Sequence, residues 1–319
     1  MAAGALSKAR PWGKAALLAL GLAACDVAPP VEPTLKPQVR PERPAPAPAV
    51  ARPTSQKSAS LRNYLGQVQS AQLTQGLLRR DGGGVDTPFT ADVLARNFEQ
   101  IALFNEYNGA FTGRGGASPL RRWAQPVRME VIFGAGVPPT QRDADAFAVR
   151  SYASRLARVT GHPISATGSP NFIVIIAGED DRADALVEAA GRVPGITPAS
   201  LRALRDLGRD TYCAVAAYAA GPDANTYTAA VAVIRAENPD LLRLSCIHEE
   251  LAQGLGLAND SPQARPSIFN DDDEFALLTR HDELLLQMLY DNRLRPGMQA
   301  AAVRPIARII AREVTGQAL

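Results

Sequence analysis

The chain has 319 residues, 46% of them hydrophobic and 21% charged, with 34 Lys and Arg against 32 Asp and Glu. That is enough apolar material for a sizeable core, and the near-balance of charge excludes a polybasic nucleic-acid binder. The small basic excess lies at the start: Lys8, Arg10 and Lys14 precede Cys25 with no acidic residue among them, which leaves 31 basic against 32 acidic residues afterwards.

Those three cations form the n-region of an export signal, and Ala15–Ala24 forms its short apolar h-region. The apolar run is too short to cross a bilayer as a mature helix. It ends in Leu22-Ala23-Ala24-Cys25, which resembles a bacterial lipobox. The resemblance implies cleavage before Cys25, its acylation, and anchoring by several acyl chains. Residues 1–25 are therefore expected to be a lipoprotein signal peptide. The protein would be lipid-anchored in the bacterial cell envelope, facing the periplasm.

Residues 26–57 hold nine prolines and few large apolar side chains. Such a segment cannot bury a core, so a solvated tether is expected. Residues 58–120 read as a lead-in of helix and loop. Leu61–Arg80 is polar and weakly helical, Thr90 is a plausible N-cap for a helix over Ala91–Tyr107, and Gly109–Ser118 is a glycine-rich loop.

From residue 121 to 319 the pattern predicts one α+β domain. Val127–Phe133 alternates as a strand, and Asp143–Val159 is an amphipathic helix. Asn171–Ala177 is apolar and β-branched, a buried strand. Arg182–Ala190 and Pro198–Leu207 read as short helices. Thr211–Ala219 and Thr226–Arg235 read as strands around Gly221-Pro222-Asp223. A helix starts at Pro239 and runs to about Gly256, and two more cover Asp282–Tyr290 and Met298–Val314. Cys213 and Cys246 remain after Cys25. An even number of cysteines in an oxidising compartment predicts a disulfide, which would join a strand to the helix after Pro239.

That helix carries Glu249-Glu250-Leu-Ala-Gln253-Gly-Leu-Gly256-Leu-Ala-Asn259-Asp260. The spacing resembles the metzincin signature H-E-x-x-H-x-x-G-x-x-H-D, with Glu249, Gln253 and Asn259 in the three histidine positions. Downstream, Ser267-Ile268-Phe269-Asn270 resembles a Met-turn with Phe269 in the methionine position. Leu278-Thr279, Asp282 and Tyr290 resemble the helix that follows it. The chain also resembles an uncharacterised bacterial family of metzincin-like envelope proteins with the E-E-x-x-Q-x-L-G-L-x-N-D signature. The resemblance implies a zincin-like fold: a twisted mixed sheet over the motif helix, plus a mostly helical C-terminal lobe. It also gives Gly256 the turn after the helix and Glu250 the general-base position.

The departures from the pattern decide the expected chemistry. Zinc needs three strong N, S or carboxylate ligands and an open position. One carboxylate with two neutral amides does not supply them, so no zinc cofactor is expected. An oxygen-only calcium site with Asp260 or Asp271–Asp273 stays open. His248 shares a helical stripe with Leu244, Leu251 and Leu255 and reads as a packing residue. Without a metal, Glu249, Gln253 and Asn259 are expected to form a polar network.

The expected function is a non-catalytic pseudoprotease domain that binds a peptide or protein partner. Strand addition would occur along Thr226–Arg235, taken as the edge strand. Two alternatives stay open: an unconventional hydrolase that uses Glu250, and a structural envelope protein.

Overall fold

The computed structural model describes residues 54–106, 115–193, 195–219 and 224–317. The leader, Cys25 and the tether as far as residue 53 lie outside the described residues. The elements, in chain order, are α1 (Gln56–Thr74), α2 (Ala91–Ala102), β1 (Arg122–Trp123), β2 (Val127–Phe133), α3 (Pro139–Thr160) and β3 (Ile164–Ser165). They continue with β4 (Phe172–Ala177), α4 (Arg182–Arg192), α5 (Pro198–Arg205), β5 (Cys213–Ala219) and β6 (Thr226–Arg235). Three helices close the chain: α6 (Asp240–Gln253), α7 (Arg280–Leu289) and α8 (Ala300–Thr315).

The sheet runs β3-β2-β4-β6, with β1 beside the start of β6. These pairings are parallel, and β5 adds to β6 antiparallel. Every residue of β4 is buried. Its alternate side chains serve two cores, as the two-residue period of a strand requires. Ile173, Ile175 and Ala177 pack with Ala185, Leu186 and Ala189 of α4. Phe172, Val174 and Ile176 belong to the larger core with α2, α3, α6, α7 and α8. Each fully buried Ile or Phe contributes about 1.5–3 kcal/mol, so this two-sided strand is the anchor of the domain.

Thr226–Arg235 is not the edge strand, because β6 pairs with β4 on one side and β5 on the other. Its run from Ala229 to Ile234 is wholly buried, as a strand between two neighbours must be. Among the described residues, β5 is paired on one side alone.

The lead-in is more ordered than its polarity suggests. Ser55 caps α1, and the helix start is bound to the carboxyl ends of β4 and β6. The Ser58 hydroxyl donates to Glu237 (2.6 Å), and the Ser55 N–H donates to Asp180 (2.8 Å). Lys57 pairs with Glu179 (2.5 Å), which Arg182 and Arg235 also meet.

Candidate functional site

Helix α6 turns two chemically different sides to its surroundings. One side is fixed in the core. Arg243 forms a buried ion pair with Asp145 of α3, its Nε donating to both carboxylate oxygens at 2.9 and 2.8 Å. One turn on, His248 stacks on Tyr152 with ring centroids 4.0 Å apart. Its Nδ1 accepts the Leu278 N–H at 3.0 Å, which places the proton of the neutral ring on Nε2. Burial, with Arg155 nearby, pushes the imidazole pKa down to about 3. His248 is a neutral packing residue that joins α3, α6 and the start of α7. His281 ends on a different partner, the Asn97 amide.

The other side of α6 presents Ser245, Glu249, Glu250 and Gln253 to a cavity of about 560 Å³. The residues from Asp210 to Tyr218, β5 included, form another wall. Three chain segments outside the helix add further carboxyls: Glu106, Asp260, and the pair Asp271 and Asp273. Among the described lining residues, Arg121 is the one cation.

The chain reaches this arrangement through two close approaches after α6. The Trp123 indole N–H donates to the Gly254 carbonyl at 2.8 Å, and a Cβ on Gly254 would meet the Phe172 ring. Gly256 has φ +126°, and a Cβ there would overlap the Arg121 carbonyl oxygen. Only glycine satisfies both demands. The Tyr290 hydroxyl then donates to the Leu255 carbonyl at 3.1 Å. Below this turn, Phe269 is fully buried, and its carbonyl accepts the Ser261 N–H. Asp282 completes a capping box with Thr279 at the start of α7.

The expected polar network is not the one observed. The Gln253 amide donates to Asp260 at 3.4 Å. Asn259 turns away and donates to the carbonyls of Gln100 and Asp260. Asp260, not Asn259, is the residue that the returning chain brings to the cavity. Adjacent residues on a helix diverge by about 100° around its axis, as Glu249 and Glu250 do along α6. Their carboxylate oxygens nevertheless lie within 4.8 Å of each other. Glu250 is 4% exposed, and its Oε2 has no hydrogen-bond partner among the described residues.

Electrostatics follow from this crowding. Burial pushes the Glu249 carboxyl well above its ordinary range, and Glu250, Asp260 and Glu106 add to the shift. Glu250 rises for the same reasons, burial first and then Glu106 and Asp260. Asp260 is raised by burial, Glu106 and Asp271. Several like charges in one low-dielectric space cannot all ionise, so the cluster retains protons.

Cys213 and Cys246 form a disulfide with Cα atoms 5.9 Å apart, and it joins β5 to α6. The Cys213 sulfur lies within 4.8 Å of the Glu249 and Glu250 oxygens, but as half of a disulfide it is no thiolate ligand. The remaining donors are carboxylate and amide oxygens. That set is hard and does not fit zinc, which is held by imidazole and thiolate with or without carboxylate.

Residues 91–309 match the family described as "Protein of unknown function (DUF2927)". The chain belongs to the DUF2927 family. The DUF2927 match starts at the first residue of α2 and ends within α8, so it includes every segment that lines the cavity and leaves out α1. No curated protein and no solved structure matches the chain. Among the cavity carboxyls of this DUF2927 domain, Glu106 and Asp210 escaped the sequence reading. Neither lies in a motif, and each arrives through a long-range approach that no local spacing encodes.

Proposed function

We propose that this DUF2927 domain is a non-catalytic, metzincin-like binding module on a lipid-anchored envelope protein, and that it holds an extended polypeptide along β5. One observation carries the reading: β5 is paired on one side alone among the described residues, while its length from Cys213 to Tyr218 lines the cavity. An edge strand offers main-chain donors and acceptors to an incoming chain, and an adjacent pocket offers specificity. The α6 motif and the glycine turn beside it support the metzincin-like reading. The donor chemistry argues against zinc proteolysis, since Glu250 would have no activated water to deprotonate.

The test is amide hydrogen exchange of the full chain with a library of extended peptides. Binding by strand addition slows exchange across residues 213–219 and leaves the peptides intact by mass spectrometry. Unchanged exchange across that strand, with every peptide at saturating concentration, would sink the reading.

A second reading is favoured by the proximity of Glu249 and Glu250. Two carboxyls that share a space can divide acid and base roles. Cleaved peptides in the same experiment, abolished by Glu250→Gln, would establish that hydrolase.

A further inference from the structure

We infer that the side chain anchoring the bound polypeptide is a lysine or an arginine, received by Glu249, Glu250 and Asp260; this rests on the strand-addition reading above.

Charge is the first support. The cavity gathers acidic side chains from α6 and from several loops, and Arg121 is the one described cation lining it. A side chain of Arg121 already donates to Asn105 at 3.4 Å. The internal cation therefore does not neutralise the α6 carboxyls by any hydrogen bond found among the described residues.

The second support is independent of the charge count. Glu250 is 4% exposed, lines the cavity, and leaves Oε2 without a partner among the described residues. A buried acceptor in that state is costly, and a donor from a ligand removes the cost. Charge-assisted hydrogen bonds to a carboxylate are the strongest that an ordinary side chain can supply.

Geometry separates a long cationic side chain from a metal ion. Calcium takes 6–8 oxygens at about 2.3–2.6 Å, so its ligands must converge tightly. Among the described residues, the one convergent group of three or more possible ligand atoms is Glu249, Glu250 and the disulfide sulfur of Cys213. Asp260 and Glu106 stand outside that group, yet both act on the α6 carboxyls electrostatically. Spread acceptors around a roomy cavity suit an ammonium with three donors or a guanidinium with five. The β5 wall supplies the register, because alternate side chains of an added strand point to one face of the sheet.

The test uses the full chain and one extended nonapeptide backbone with lysine, arginine, norleucine or citrulline at its centre. The expected result is at least tenfold tighter binding of the lysine or arginine peptide than of its neutral counterpart, with the difference shrinking as salt rises. Glu250→Gln, checked for folding by circular dichroism, should reduce that preference several-fold. Asp271→Asn, at an exposed residue of the cavity lining, provides a second variant and should reduce the salt dependence. Equal binding of all four peptides, with exchange across β5 still slowed, overturns the cationic anchor and keeps strand addition. Saturable binding of calcium alone, with no peptide slowing exchange across β5, overturns both.

Discussion

Asp282 accepts the Ser267 hydroxyl at 2.5 Å on one carboxylate oxygen, and the other oxygen accepts the Ile268 N–H at 3.1 Å. The same carboxylate caps α7 through the Thr279 N–H and hydroxyl at 2.9 and 2.8 Å. One fully buried side chain therefore fixes the turn beneath the cavity to the next helix. Asp282→Ala should destabilise the domain by about 3 kcal/mol or more, since several buried donors lose a charged acceptor. Urea unfolding of the variant checks this. A loss below about 1 kcal/mol would mean that the turn is held by something else.

Replacement of both Cys213 and Cys246 by alanine should cost about 3–4 kcal/mol. The bond closes a loop with a sequence separation of 33, and loops of that size give this magnitude in the chain-entropy account. Peptide affinity should fall as well, because β5 loses its covalent tie to α6. A variant with wild-type stability but weakened binding would separate the two effects.

The acidic cavity gives stability an unusual pH profile. The Glu249 and Glu250 carboxyls are raised above their ordinary 4.5, so the folded chain binds more protons than the unfolded one as pH climbs past that value. Stability therefore falls as pH rises above 4.5. Glu179 acts in the opposite sense. Burial pushes its pKa up, but Lys57, Arg235 and Arg182 outweigh burial and hold it at about 2. Its contribution is full above 4.5 and is lost as pH falls toward 2. Denaturation midpoints across the pH range should show both limbs. Glu250→Gln should flatten the upper limb and stabilise the neutral-pH protein by about 1–2 kcal/mol, and Glu179→Gln should flatten the lower one.

Gly256→Ala should be among the most damaging small substitutions. It imposes a side chain at φ +126° and against the Arg121 carbonyl oxygen. A cost of about 2–4 kcal/mol is expected from strain and overlap together. A thermal scan of the variant decides the matter. Gly66→Ala is the matched control, since a Cβ there meets nothing within 4 Å.

The strands of the domain were legible because apolar and β-branched runs dictate them. Asn171–Ala177 reads as buried, and β4 is buried on both faces. The order of strands is not legible in the sequence, and Thr226–Arg235 was the strand expected at the edge. Its unbroken apolar run from Ala229 to Ile234 was the signal against that reading, since a strand open on one side has no need of it. The α6 motif located one wall of the cavity. The opposing carboxyls come from loops whose meeting point depends on how the sheet and helices stack. Asp260 replaced Asn259 because the Gly256 turn sets which of two adjacent side chains faces inward, and a sequence pattern does not resolve that angle.

The disulfide has a kinetic meaning as well. It joins the strand on one wall of the cavity to the helix on the other, so at that point the walls cannot part and reclose around a guest. The opening is preformed there, and selection rests on fit rather than on a closing motion. The ordering cost of binding then falls mainly on the incoming chain. Association should follow a single phase whose observed rate rises linearly with peptide concentration, with no plateau from a gating step.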